Sequence, residues 1–291
     1  MRKSLGTVPV LLLFAAIGAP PAFADLLNPM GTIAVGTSVV PLQQLQPGQI
    51  LSATYSLQTT DGLAVGTGAA DLMGPFVDVQ GETHGAGGFP AFGSVSYYTQ
   101  ISSLAAGLEL CAGGCAVPVE FKFQLQATAS ASGSLVSAFA YASSLFNADG
   151  HANADRLGGS ETMKCTSNGC TFVSTTPMTT GVAFVNASSG LSDPILITVE
   201  ADGNVGGACT GVIVDSPCQG RSNGTFLALA DPIVQIADEL IPGANINYRD
   251  AFSLSFSPGV VQGVGNVPEA ATGGLMLLGI AFVSLMRKVI A

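Results

Sequence analysis

Hydrophobic and polar residues alternate along much of this chain with a period of two. Leu51, Ala53, Tyr55 and Leu57 are interleaved with Ser52, Thr54, Ser56 and Gln58. Phe121, Phe123, Leu125 and Ala127 alternate with Lys122, Gln124, Gln126 and Thr128. Ile195, Ile197 and Val199 alternate with Leu196, Thr198 and Glu200, and Phe252, Leu254 and Phe256 with Ser253, Ser255 and Ser257. Successive side chains of a strand point to opposite faces, so each stretch predicts a strand with one buried and one wet face. Turn formers lie between them: Asp61-Gly62, Asn147-Ala148-Asp149-Gly150, Asn168-Gly169, Asp202-Gly203 and Asn223-Gly224. The expected class is mainly β, with an antiparallel β-sandwich or jelly-roll-like body.

Other stretches are read differently. Asp25 to Gly48 and Leu63 to Phe92 are rich in Gly and Pro and predict short strands with long loops. Asp231-Pro232 can start a helix through Leu240, with Ile233, Ile236 and Leu240 at helical spacing; a strand over Ile233 to Ala237 fits as well. Ala127 to Ala142 is biased toward Ala and Ser and predicts a small-residue strand facing a close neighbour.

Both ends depart from this pattern. Arg2-Lys3, the apolar stretch Val8 to Ile17 and the small-x-small triplet Ala22-Phe23-Ala24 have the layout of a secretory signal helix. Residues 1–24 are therefore expected to be a signal peptide, removed before Asp25. Ala271 to Met286 is an uncharged run of 16 residues followed by Arg287-Lys288. As a helix it reaches roughly 24 Å, slightly under the roughly 30 Å of a bilayer's hydrocarbon core. The basic pair holds its end on the cytoplasmic side. The expected layout is a β-rich extracytoplasmic body over 25–258, a spacer over 259–266, and a single transmembrane sorting or anchor helix within 267–291.

The tail resembles that of the PEP-CTERM family of exported bacterial proteins. The resemblance rests on Val267, Pro268 and Glu269, the glycine-containing apolar segment from Gly273, and Arg287 and Lys288. It implies export machinery and an exosortase-like processing enzyme as partners, passage through an inner-membrane-anchored intermediate, and an association with extracellular polysaccharide at the cell surface or beyond. Ala270 stands where a second proline is usual, which leaves a retained anchor as the alternative to cleavage. The match covers about 25 residues and implies no activity for the body.

Charge narrows the partners. Between the two basic pairs the chain carries five basic and 19 acidic residues, a net charge near −14. Such a surface repels phosphate backbones, which argues against nucleic acid. The six cysteines fall into near neighbours: Cys111 with Cys115, Cys165 with Cys170, and Cys209 with Cys218. An exported location favours local disulfides. Zinc is the rival, but the spacings are irregular and only His84 and His151 accompany the thiols.

No nucleophile elbow, HExxH or phosphate loop is present, so no catalytic residue is assigned and no enzyme is expected. Gly66-Thr67-Gly68-Ala69-Ala70-Asp71 resembles a dinucleotide fingerprint only superficially, because no helical pattern follows it. Asn147, Asp149, Asn153 and Asp155 set side-chain oxygens around Gly150 and His151. Hard cations take such oxygens, which makes this a calcium candidate; an ordinary polar turn uses the same residues. No other cofactor is expected. Two functional classes remain. One is a structural or interaction protein of the surface or matrix. The other is a carbohydrate-binding or glycan-active protein, for which Tyr97, Tyr98 and Tyr141 are the aromatic candidates in a chain with no Trp.

Overall fold

The structure, a computed structural model, describes residues 26–59, 62–84, 88–110, 114–132, 137–147, 156–166, 168–174, 180–188, 191–206 and 223–261. The chain opens with the hairpin β1 (Met30–Val35) and β2 (Ser38–Gln44). A meander follows: β3 (Leu51–Thr59), β4 (Gly62–Asp71) and β5 (Phe76–His84). The long β6 (Phe89–Ser103) leads to α1 (Ala105–Leu110), β7 (Cys115–Lys122), β8 (Leu125–Ser132) and β9 (Ser137–Asn147). The hairpin β10 (Arg156–Thr166) and β11 (Gly169–Ser174) is followed by β12 (Thr180–Ser188), β13 (Leu191–Ser192) and β14 (Ile195–Val205). The last elements are β15 (Asn223–Ala230), β16 (Ile233–Ile236), α2 (Tyr248–Ala251) and β17 (Phe252–Phe256).

All ladders between these strands are antiparallel, and they form two sheets. The small sheet has the order β3-β4-β5-β15-β8. The large sheet runs β11-β10-β9-β14-β6-β13-β12-β7-β16, with β1 and β17 paired to β6 and β2 paired to β1. The inward positions of β14, Ile195, Ile197, Val199, Ala201, Gly203 and Val205, are all buried, as are Phe226, Ala228 and Ala230 of β15 facing them across the layers. The expected mainly β, antiparallel sandwich-like body is present.

The two sheets are joined by strands that change sheet. β7 and β16 pair in the large sheet, and their continuations β8 and β15 pair in the small one. Both chains break at the crossing, at Phe123-Gln124 and at Asp231-Pro232. Pro232 has no N–H to give to a ladder, while the Asp231 N–H donates to the Gln124 carbonyl at 2.9 Å and holds the two breaks in step. Phe121, on the large-sheet side, meets Phe146 of β9 at 5.1 Å between ring centroids.

Large rings in the middle of the sandwich require small neighbours. Phe89 is buried between Tyr55 and Phe226, with centroids at 4.8 and 5.8 Å. A Cβ at Gly66 would overlap the Phe89 ring, and one at Gly203 would overlap the Phe226 ring. Gly66 and Gly68 therefore share the inner face of strand β4, Gly66 making room for the Phe89 ring and Gly68 for Ile33 and Val35, while Thr67 points outward.

Several expectations are corrected. Asp202-Gly203 and Asn223-Gly224 are not turns: the first lies inside β14 and the second opens β15. The described residues of 63–92 lie mostly in the long strands β4, β5 and β6 rather than in long loops, because alternate positions of these strands are buried. Residues 233–236 are strand, so the helix option for 231–240 is not taken. The Ala/Ser-rich stretch is two strands, β8 and β9, in different sheets. The serine face of β17 is half-buried and bonded to β6 rather than fully wet. Ser102 and Ser253 hydroxyls lie 2.8 Å apart, and Ser255 Oγ donates to the Gln100 carbonyl at 3.2 Å. Among the described residues no helix is long and apolar enough to cross a membrane; residues 1–24 and 267–291 lie outside them.

Candidate functional site

The outer face of the large sheet brings together side chains far apart in sequence. In register, Phe92 of β6 stands opposite Asp202 of β14, Asp202 opposite Tyr141 of β9, and Tyr141 opposite Thr162 of β10. The next row is Ser94, Glu200, Ser143 and Ser160. Strands lie about 4.8 Å apart, so Phe92 and Tyr141 are separated by roughly 9.6 Å with a carboxylate between them. All six of Phe92, Ser94, Tyr141, Ser143, Glu200 and Asp202 are half-buried, because the opposite parity of each strand fills the core.

Electrostatics distinguishes the two acids. Burial pushes Asp202 up to about 6; the Gly203 N–H opposes that shift, and the nearby Glu200 charge adds to it. The Ser143 hydroxyl lies 3.5 Å from Glu200 Oε2. The two carboxylates share one face of β14 at positions two apart, about 6.6 Å along the strand. Near pH 6 Asp202 exists in both protonated and ionised forms. Asp202 thus offers hydrogen-bond donation or acceptance between two aromatic rings, with Glu200 in the adjacent row between Ser94 and Ser143. That combination suits a polyhydroxylated ligand, whose C–H faces stack and whose hydroxyls need partners on both sides.

The residues singled out from sequence fare unevenly. Cys165 and Cys170 form a disulfide, directly opposite one another in the β10–β11 ladder with Cα atoms 4.0 Å apart. Cys115 is also disulfide-bonded, to a partner outside the described residues. Cys111, Cys209 and Cys218 lie outside them, as do Val267, Pro268, Glu269, Arg287 and Lys288 of the tail. Of the calcium candidate only Asn147 is described. It ends β9 between Arg156 of β10 and Leu196 of β14, while Asp149, Asn153 and Asp155 fall outside. Among the described residues no group of three or more His, Cys, Asp or Glu is placed to hold a metal ion.

Of the three candidate tyrosines, Tyr97 is corrected: it is fully buried, 6.5 Å from Phe256 between centroids, and is a core residue. Tyr98 and Tyr141 stand on the outer face. His84 is exposed at the end of β5 and sits 3.7 Å from Glu82. Asp238 is held in a loop by Asn247 at 2.6 Å and Arg249 at 3.4 Å. Sequence reasoning missed Phe92 and Asp202. The signal was present in the continued alternation Val199, Ala201, Gly203, Val205, which carries β14 through the apparent turn.

No protein-family model matches this chain, and no curated protein matches it either.

Proposed function

We propose that this chain is an exported protein, delivered to the cell surface or extracellular matrix by a PEP-CTERM-like tail, where its β body acts as a structural and interaction module without catalysis. The carrying observation is the pair of terminal segments: the basic and apolar leader ending at Ala24, and Val267-Pro268-Glu269 with its apolar run and Arg287-Lys288. In this reading the tail engages an exosortase-like enzyme in the inner membrane, and the protein passes through an anchored intermediate.

The way the body closes on itself supports this. Ser257 Oγ donates to the Leu27 carbonyl at 2.7 Å and accepts the Tyr98 N–H at 2.8 Å. Val261 is bonded to the turn at both groups: its carbonyl accepts the Gly74 N–H at 2.6 Å and its N–H donates to the Leu72 carbonyl at 3.0 Å. The start and end of the body are thus tied into the sandwich before the flanking segments begin. Leader removal and tail cleavage would leave these bonds intact. The test is fractionation of the expressing cells with intact-mass measurement. The reading expects an extracytoplasmic form beginning at Asp25 with oxidised cysteines. A full-length cytoplasmic form with reduced cysteines would overturn it.

The second reading, a carbohydrate-binding body, is favoured by the Phe92–Asp202–Tyr141 row. A glycan array with wild type and Tyr141→Ala tests it. A saturable signal lost in the variant supports it, and no signal with wild type sinks it.

A further inference from the structure

Four exposed apolar side chains gather where the turn between β4 and β5 meets the last described residues. Met73 stands in that turn, and Val261 forms a bridge with it. Ile50 leads into β3, whose first residue, Leu51, pairs with Ala70 just before the turn. Leu27 is held nearby by Ser257, which donates its hydroxyl to the Leu27 carbonyl at 2.7 Å. Their exposures are 60% for Met73, 51% for Val261, 59% for Ile50 and 65% for Leu27. The Pro47 turn packs between them: a Cβ added at Gly259 would come within 2.5 Å of the Pro47 Cα.

The chain segments that build this end carry no charge. Residues 26–60, 72–77 and 252–261 contain no Asp, Glu, Lys, Arg or His. Asp71, beside the turn, is directed at the backbone: its carboxylate accepts the Leu72 and Met73 N–H groups at 2.6 and 2.9 Å. Elsewhere the exposed apolar side chains are interleaved with charge. Leu108 and Leu110 flank Glu109 on α1, Leu240 follows Asp238 and Glu239, and Val182 stands opposite Glu120. Phe172 follows Thr171, the ladder partner of Lys164.

We propose that this end of the body is a bilayer-docking face. Leu27, Ile50, Met73 and Val261 enter the headgroup boundary of the membrane that holds the tail, so the body sits on the lipid rather than on a free tether. This rests on the tail-anchored reading above. The flanking segments select lipid as the occupant. From Val261 the chain continues to the apolar run, which begins ten residues on at Ala271, within roughly 35 Å even at full extension. Leu27 is the third residue after Ala24, where the leader ends in that reading. A bilayer entered by either segment therefore faces this part of the body. Charge points the same way. A strongly acidic body meets lipid phosphates at lowest electrostatic cost through a surface that carries no charge. A cluster of exposed apolar side chains gains by leaving water, and an interfacial depth of insertion is enough to cover them.

The chain contains no Trp, so Met73→Trp and Ile50→Trp each place a single fluorophore in the full chain. His84→Trp is the control, because His84 ends β5 eight residues beyond Phe76, roughly 26 Å along the strand. Each chain is reconstituted into phosphatidylcholine vesicles with and without bromine on the acyl chains, and flotation of the vesicles reports anchoring. The proposal expects brominated lipid to halve the emission or more at positions 73 and 50, with little change at 84. Adding Leu27→Glu and Ile50→Glu to Met73→Trp should reduce the quenching at least twofold with flotation unchanged, since the tail is intact. Chains that float with positions 73 and 50 unquenched overturn the docking face and leave the tail reading standing. Chains that do not float overturn both. A blue-shifted emission at 73 that bromine does not quench means a protein cover, either the tail folded back or a second copy, and overturns the proposal. Equal quenching at 84 overturns it as well, because the contact then has no preferred face.

Discussion

The middle of the sandwich and the β10–β11 hairpin are built from the same antiparallel ladder and held by different forces. In the middle, β4, β5, β14 and β15 press together around Phe89 and Phe226, and backbone glycines make room for the rings. At the hairpin, β11 is exposed along its whole length and, among the described residues, pairs with β10 alone, to which the Cys165–Cys170 disulfide ties it. Stability comes from close fit where the inner face is covered by the other sheet, and from a covalent link where β11 is exposed throughout. The difference teaches that a strand's inner-face composition reports how tightly it is packed: small residues opposite rings mark the rigid part.

The strongest way to break the middle is to fill it. Gly203→Val puts branched carbons where the Phe226 ring already sits, with no flexible neighbour to give way. Overpacking of this kind costs about 1–3 kcal/mol and often more. Chemical denaturation should show a loss at or above the top of that range, or an insoluble protein. Phe226→Ala, which empties the same contact, should cost about 3–5 kcal/mol. A Gly203→Val variant with unchanged midpoint would show that the ring is not seated as described.

Acidification should strengthen the middle selectively. Burial pushes Asp78, Asp202 and Asp231 each up to about 6 from 3.8. Two of them are on β5 and β14, and the third follows β15; none is on the β10–β11 hairpin. A carboxyl with a raised folded pKa binds its proton more tightly in the folded state. Below about 4 both states are protonated and nothing is lost. Between about 4 and about 6 the unfolded chain ionises first, so folding stability falls as pH rises, and above that the loss is complete. Each shift sets a ceiling of about 3 kcal/mol, lowered by partial contact with water. Melting temperature should therefore be higher at pH 5 than at pH 7.5. Asp202→Asn should raise it at pH 7.5 and leave it unchanged at pH 4. A melting temperature that falls on acidification to pH 5 contradicts the burial of these groups.

Alternation made β3, β14 and β17 legible, because one face of each meets the core and period two follows directly. It failed where residue type served tertiary packing. Gly203 and Gly224 look like turn residues beside Asp202 and Asn223, yet Gly203 is there because of Phe226, a residue on a strand from the other sheet. Unbroken alternation from Phe121 to Ala127 also hid a change of sheet, since the break at Phe123-Gln124 keeps the parity of buried positions. The Phe92–Asp202–Tyr141 row was unreadable for a related reason: its members meet through the registers of three strands, which a single sequence does not encode locally. Cys165 with Cys170 was readable because its turn is local.

The smallest effect is expected at the hairpin. Replacing both Cys165 and Cys170 by Ala removes a short closed loop, worth about 2 kcal/mol by the chain-entropy estimate. The middle keeps its own contacts, so unfolding should remain cooperative with a modestly lower midpoint. The local consequence should be clearer than the global one. Amides of β11 should exchange faster, while those of β14 and β15 keep rates set by global unfolding. Equal acceleration of exchange in β14 would mean that the disulfide supports the whole sandwich, and that the hairpin is not the separately stapled element its exposure indicates.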